Sequence, residues 1–94
     1  MDLQHLKTYL RIDGSEDDQI LTSFVNAAKG HLNSAGVKKP LNDDEHSQAQ
    51  YDLAIMLYVK REYDPLTQAE LERIEKSLEG IILQLRDYGG VENE

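Results

Sequence analysis

The sequence contains no cysteine. That absence excludes disulfides, thiol nucleophiles and cysteine-based zinc or iron-sulfur sites, and it fits a reducing compartment. Long apolar runs are missing as well: the longest, Leu53 to Val59, is far too short to span a bilayer. The opening MDLQHLKTYL is acidic and amphipathic, with neither the basic start nor the apolar stretch of a signal peptide, so a soluble intracellular protein without a membrane partner is expected. Positive charge is scarce, with 10 Lys and Arg against 18 Asp and Glu for a net −8, and the acids are spread along the whole chain. Affinity for a phosphate backbone comes mainly from Lys and Arg displacing counterions, so tight nucleic-acid binding by a lone chain is not expected. The basic pairs Lys38-Lys39 and Lys60-Arg61 are too sparse to form a binding stripe.

Helical periodicity is what the chain does have, and it predicts an all-α fold, a small single-domain bundle of about four helices. At 94 residues the core is possible but thin, since folding at this size buries only about two-thirds of the chain's surface. The first helix covers roughly Asp2 to Leu10, with Leu3, Leu6 and Leu10 at helical spacing. Ser15 reads as the N-cap of the second, followed by Glu16, Asp17 and Asp18 as charges suited to the helix dipole, and Gly36 ends it. Asn42 or Asp43 is the expected cap of a third helix running to about Tyr63, where Asp64-Pro65 breaks the chain. Thr67-Gln68-Ala69-Glu70 is a capping box and starts the fourth.

The third helix carries LAIMLYV, apolar all the way round, so it is either the central helix of the bundle or half core and half interface. On the fourth, Leu71, Ile74, Leu78, Ile81, Leu85 and Tyr88 make one stripe, with Ile82 at its edge. Leu83 falls on the opposite side, among Lys76, Glu79, Gly80, Arg86 and Asp87. Gly80 weakens the helix by about 1 kcal/mol relative to Ala, marking either a kink or a place where another backbone comes close.

Signals of catalysis or ligand binding are sparse. His5, His31 and His46 lie far apart and outside any ligand spacing, and His31 reads as a partly buried, hydrogen-bonded side chain at the edge of the second helix's apolar face. Asp13 to Asp18 lacks the glycine and the distal glutamate of a calcium loop, so those acids read as capping charges. Asp43-Asp44-Glu45-His46 sits where a helix N-terminus favours acids, and metal binding there is not expected. Neither a glycine-rich phosphate loop nor a spaced nucleophile-base set is present. No enzyme and no cofactor are expected.

Three blocks in order, LKTYLRIDGSEDDQILTSFVNAAKGHL, then YVKREYD, then SLEGIILQLR, resemble the small head-tail connector proteins of long-tailed bacteriophages and prophages, the group named for a QLRG signature. The resemblance runs from Leu6 to Arg86. It departs in two places: Asp87 follows Gln84-Leu85-Arg86 where the signature has Gly, and the segment before Ser77 lacks the proline that often starts the last helix, so that helix is expected to begin earlier, near Thr67.

The resemblance implies a structural role in DNA packaging and virion assembly: a homo-oligomeric ring of about twelve copies under the portal protein, extending the DNA channel and offering a platform to the next head-completion or tail protein. DNA would pass through the ring without sequence-specific binding. The site of action would be the head-tail junction of the virion, reached from the host cytoplasm during assembly. Expected interface residues are Leu83, Arg86 and Tyr88, with Tyr63 and Tyr58 as weaker candidates, since aromatics and Arg are enriched where proteins meet. A short flexible tail is expected from about residue 89. Two other readings stay open at the level of sequence: a helical adaptor that binds one partner without a ring, and a helix-turn-helix DNA binder through Ala27 to Val37 and the next helix, against which Asp43, Asp44 and Glu45 argue.

Overall fold

Four helices form where the periodicity places them: α1 (Leu3–Leu10), α2 (Asp18–Ser34), α3 (Glu45–Tyr63) and α4 (Gln68–Glu92). They are seen in a computed structural model that describes residues 2–40 and 44–92, with side chains as far as residue 86. No helix among the described residues is long and apolar enough to cross a membrane.

Local chemistry accounts for most of the helix ends. Asp2 caps α1 by accepting a hydrogen bond from the His5 N–H at 2.7 Å. Thr67 and Glu70 make the reciprocal pair of the capping box: Thr67 Oγ1 accepts from the Glu70 N–H, and Glu70 Oε1 accepts from the Thr67 N–H. Both α1 and α2 end in the same turn. Ile12 N–H reaches back to the Lys7 carbonyl at 2.9 Å, and Val37 N–H to the Leu32 carbonyl at 2.8 Å, each after a residue in the left-handed region. In α2 that residue is Gly36 (φ 93°), which has no Cβ to clash; in α1 it is Arg11 (φ 61°), which does.

Two expected caps need correction. Ser15 does not start α2: the helix begins at Asp18, with Asp17 at the cap position and no side-chain cap bond. Asp18 stands in the first turn as expected, and both Asp17 and Asp18 also reach across the fold. Asp17 accepts a hydrogen bond from the Tyr63 hydroxyl at the far end of α3. Asp18 meets the buried Lys7 ammonium of α1 at 2.8 Å, an ion pair whose alignment falls short of a hydrogen bond. For α3 the cap is Asp44, which accepts from the Ser47 N–H, while the expected candidates Asn42 and Asp43 lie outside the described residues.

α3 is the central helix and packs against the other three. Its Tyr51, Ala54, Ile55, Met56 and Val59 join Leu6 and Leu10 of α1, Leu21, Ala28 and Leu32 of α2, and Leu78, Ile82 and Leu85 of α4 in one buried cluster. The apolar girdle is not fully enclosed, because Leu53 keeps 39 % of its surface exposed. Ile82, placed at the edge of the α4 stripe by spacing, is buried, while Leu71 and Ile74 nearer the start of that helix are only half-buried. α4 runs unbroken through Gly80, where no atom stands within 4 Å of a would-be Cβ, and its helical backbone continues past residue 89.

Candidate interface around Leu83

Leu83 is where the periodicity puts it, on the outward side of α4, with 49 % of its surface exposed. It lies on the wall of an open groove formed where α2, α3 and α4 meet. The floor is apolar, from Leu78 and Ile82, and the rim is charged: His31 from α2, Arg61 from α3, and Glu75, Glu79 and Arg86 from α4. Tyr58 belongs to the same neighbourhood. Its ring centroid is 5.4 Å from that of His31, and the Arg61 guanidinium sits over the Tyr58 ring at 4.9 Å from its centroid, a cation-π distance.

Three of the expected interface residues, Leu83, Arg86 and Tyr58, are therefore gathered around one groove. Sequence reasoning missed Arg61 and His31 as its other members. His31 also differs from expectation: it is exposed and packed on an aromatic ring, not partly buried. Tyr63 lies away from this group, tied to Asp17, and that bond to a carboxylate raises the pKa of its hydroxyl. The Tyr88 side chain lies outside the described residues.

The Gln84-Leu85-Arg86 block has a clear task inside the chain. Successive helical residues point about 100° apart, so three in a row address three directions. Gln84 turns to α3, where its Oε1 accepts a hydrogen bond from Gln50 Nε2 at 2.7 Å. Leu85 enters the core. Arg86 crosses the turn that ends α2, its Cγ and Nε 3.6 Å from where a Cβ at Gly36 would stand, which brings its charge to the negative end of that helix dipole. The tripeptide thus fixes α4 against α3, the core and α2 together.

Chemically the groove suits recognition of a protein surface. An exposed leucine lies on an apolar floor, ringed by two arginines, two glutamates and a histidine with a tyrosine nearby; the leucine, the arginines and the tyrosine are of the types found at protein contacts. Among the described residues, no group of three or more His, Cys, Asp and Glu is placed to hold a metal ion.

Comparisons with curated proteins and with solved structures return no match. The family model for the phage gp6-like head-tail connector protein matches residues 1–86, nearly the whole chain, including the three blocks and the Gln84-Leu85-Arg86 clamp. This chain belongs to the phage gp6-like head-tail connector family, a virion component that assembles with other phage head and tail proteins.

Proposed function

We propose that the chain works as a ring of about a dozen copies docked beneath the portal, extending the DNA channel and presenting a platform to the next head-completion or tail protein. Its action is then structural, at the head-tail junction. The observation that carries this reading is the groove around Leu83. A helical domain this small has little apolar surface to spare, yet it leaves a leucine uncovered in a groove shared with Arg61 and Arg86, with Tyr58 against Arg61, and arginine and tyrosine are residue types that anchor protein contacts. Leu83, Arg86 and Tyr58 are the residues we assign to contacts with neighbouring subunits or partners. Tyr63 and Tyr88 are weaker members of the same assignment.

The charge balance supports the channel role. A net −8 chain repeated around a ring repels phosphate, so DNA moves through without sticking. The test uses DNA-filled, portal-bearing heads produced without this chain. Adding the purified protein is expected to give stable capture on the heads and to restore tail joining. Heads that join tails equally well without it, or that fail to capture it, overturn the reading.

A further inference from the structure

Leu83 is flanked on α4 by an acid and a base that do not reach each other. The groove rim is balanced in charge, Arg61 and Arg86 against Glu75 and Glu79. Arg61 is already engaged, its Nε 3.0 Å from Glu62 Oε2. Glu79 and Arg86 are exposed, and among the described residues neither has an ion-pair partner. They stand about 10 Å apart along the helix axis, too far to pair with one another. Being almost two turns apart, they point nearly the same way, so both lie on the groove side of Leu83, one before it and one after. On the other side of Leu83 is Gly80, exposed, with no atom within 4 Å of a would-be Cβ. Nothing inside the chain therefore calls for a residue there that weakens the helix.

From this order of charges we infer that α4 pairs with α4 of a second copy, antiparallel, about a twofold axis at Leu83. A twofold contact is self-complementary: where residue i meets j, j meets i. Turning one α4 end for end about Leu83 keeps each flank on its own side and reverses its order, so Glu79 of each copy comes opposite Arg86 of the other. A parallel pair would instead set Glu79 near Glu79 and Arg86 near Arg86. The antiparallel crossing thus makes one leucine contact and two ion pairs from three residues, and the bare backbone at Gly80 lets the helices come close. A twofold pair closes on two copies, so it is a state of the unassembled chain and not the head-to-tail contact of a ring. On the ring reading above, which also uses Leu83, the pair opens before a copy joins. The pairing itself does not rest on that reading.

The test measures absolute mass by light scattering behind size exclusion from micromolar to near-millimolar concentration, with circular dichroism to check that each variant is folded. The parent is expected to rise to the mass of two chains and stop there. Glu79→Arg and Arg86→Glu each turn both ion pairs into like-charge pairs, so each variant alone should need at least about tenfold higher concentration to pair. Mixed one to one, the two variants bring arginines at both positions of one copy against glutamates at both positions of the other, and pairing should return to near the parent's range.

Leu83→Cys is the second probe, and it reads the symmetry. The sequence has no cysteine, so a short thiol-specific cross-linker can join two copies of this variant only through position 83. It should link most of the paired chains, while Ile20→Cys, at a similarly exposed apolar position on α2, should link few. A parent that stays monomeric, a parent that climbs past two copies, single charge variants that pair like the parent, a mixture that fails to recover, or a Leu83→Cys variant that cross-links no better than Ile20→Cys each overturns the pairing. No heads enter this experiment, so its failure leaves the connector role standing, whereas failed capture on portal-bearing heads defeats that role alone.

Discussion

Lys7 provides the sharpest test of how the fold is held. Its side chain is 9 % exposed, and its ammonium lies 2.8 Å from Asp18 Oδ1, an oxygen that is itself buried although the Asp18 side chain as a whole keeps 37 % of its surface. Replacing Lys7 by Met fills nearly the same volume, so no cavity opens, but it strands the Asp18 carboxylate without its cation. Breaking a fully buried pair from one side costs about 3 to 5 kcal/mol. Two features reduce that here: water still reaches more than a third of Asp18, and the residue lies in the first turn of α2, where the helix dipole favours negative charge. We therefore expect Lys7→Met to lose about 2 kcal/mol. For a domain of this size that is a fall in Tm of about 8 to 16 °C, and a urea midpoint lower by about 1 M. Adding Asp18→Asn removes the stranded charge and should recover more than about 1 kcal/mol as coupling in the double-mutant cycle. A Lys7→Met variant within about 0.5 kcal/mol of the parent, or a double mutant that is merely additive, refutes the argument.

Gly80 is exposed in the middle of α4 with open space around it, so Gly80→Ala should stabilise the isolated chain by about 1 kcal/mol, seen as a higher urea midpoint; a loss would mean the position is strained. Arg11 holds a left-handed conformation that glycine adopts freely, and Arg11→Gly is expected to raise stability by about 0.5 to 1 kcal/mol, with a lowered Tm counting against this account. Stability should also fall toward both extremes of pH. Hydrogen bonds from Ser47 and Thr67 lower the pKa values of Asp44 and Glu70, so their contribution is complete above the ordinary carboxylate range and is lost as pH falls through the lowered folded-state values. Hydrogen bonds to Asp17 and Asp64 raise those of Tyr63 and Lys60, so theirs is complete below about pH 10 and is lost as pH rises through the raised values. A urea midpoint measured from acid to alkali should fall off at both ends, and a midpoint still rising beyond about pH 10 would contradict the assignment of Tyr63 and Lys60.

Local signals carried well from sequence to structure wherever the chemistry was local. The Thr67 box, the Gly36 stop and the breadth of the apolar belt on α3 each depend on residues within a turn or two of one another, and each appears as read. Ser15 misled for the opposite reason. Its neighbours Asp17 and Asp18 read as dipole charges, which the first-turn Asp18 is, but their partners Tyr63, 46 residues from Asp17, and Lys7 on α1 have no local signature. The same limit applies to the interface. Leu83 stood out because it breaks the stripe of its own helix, a pattern visible in one dimension. Arg61 and His31 join it only through the way α2, α3 and α4 pack, which no spacing encodes.

Burial is uneven along α4, which predicts two regimes of amide exchange. From Leu78 to Leu85 the helix is anchored in the core by Leu78, Ile82 and Leu85 and tied to α3 through Gln84, so its amides should be the slower to exchange with solvent. From Gln68 to Ser77 it has only half-buried Leu71 and Ile74 for anchorage beside its capping box, and its amides can exchange through local fraying. A continuous helix is thus expected to exchange as a firmer stem with a looser arm. In a crowded particle, the arm is the part free to adjust to a neighbour while the stem keeps the fold.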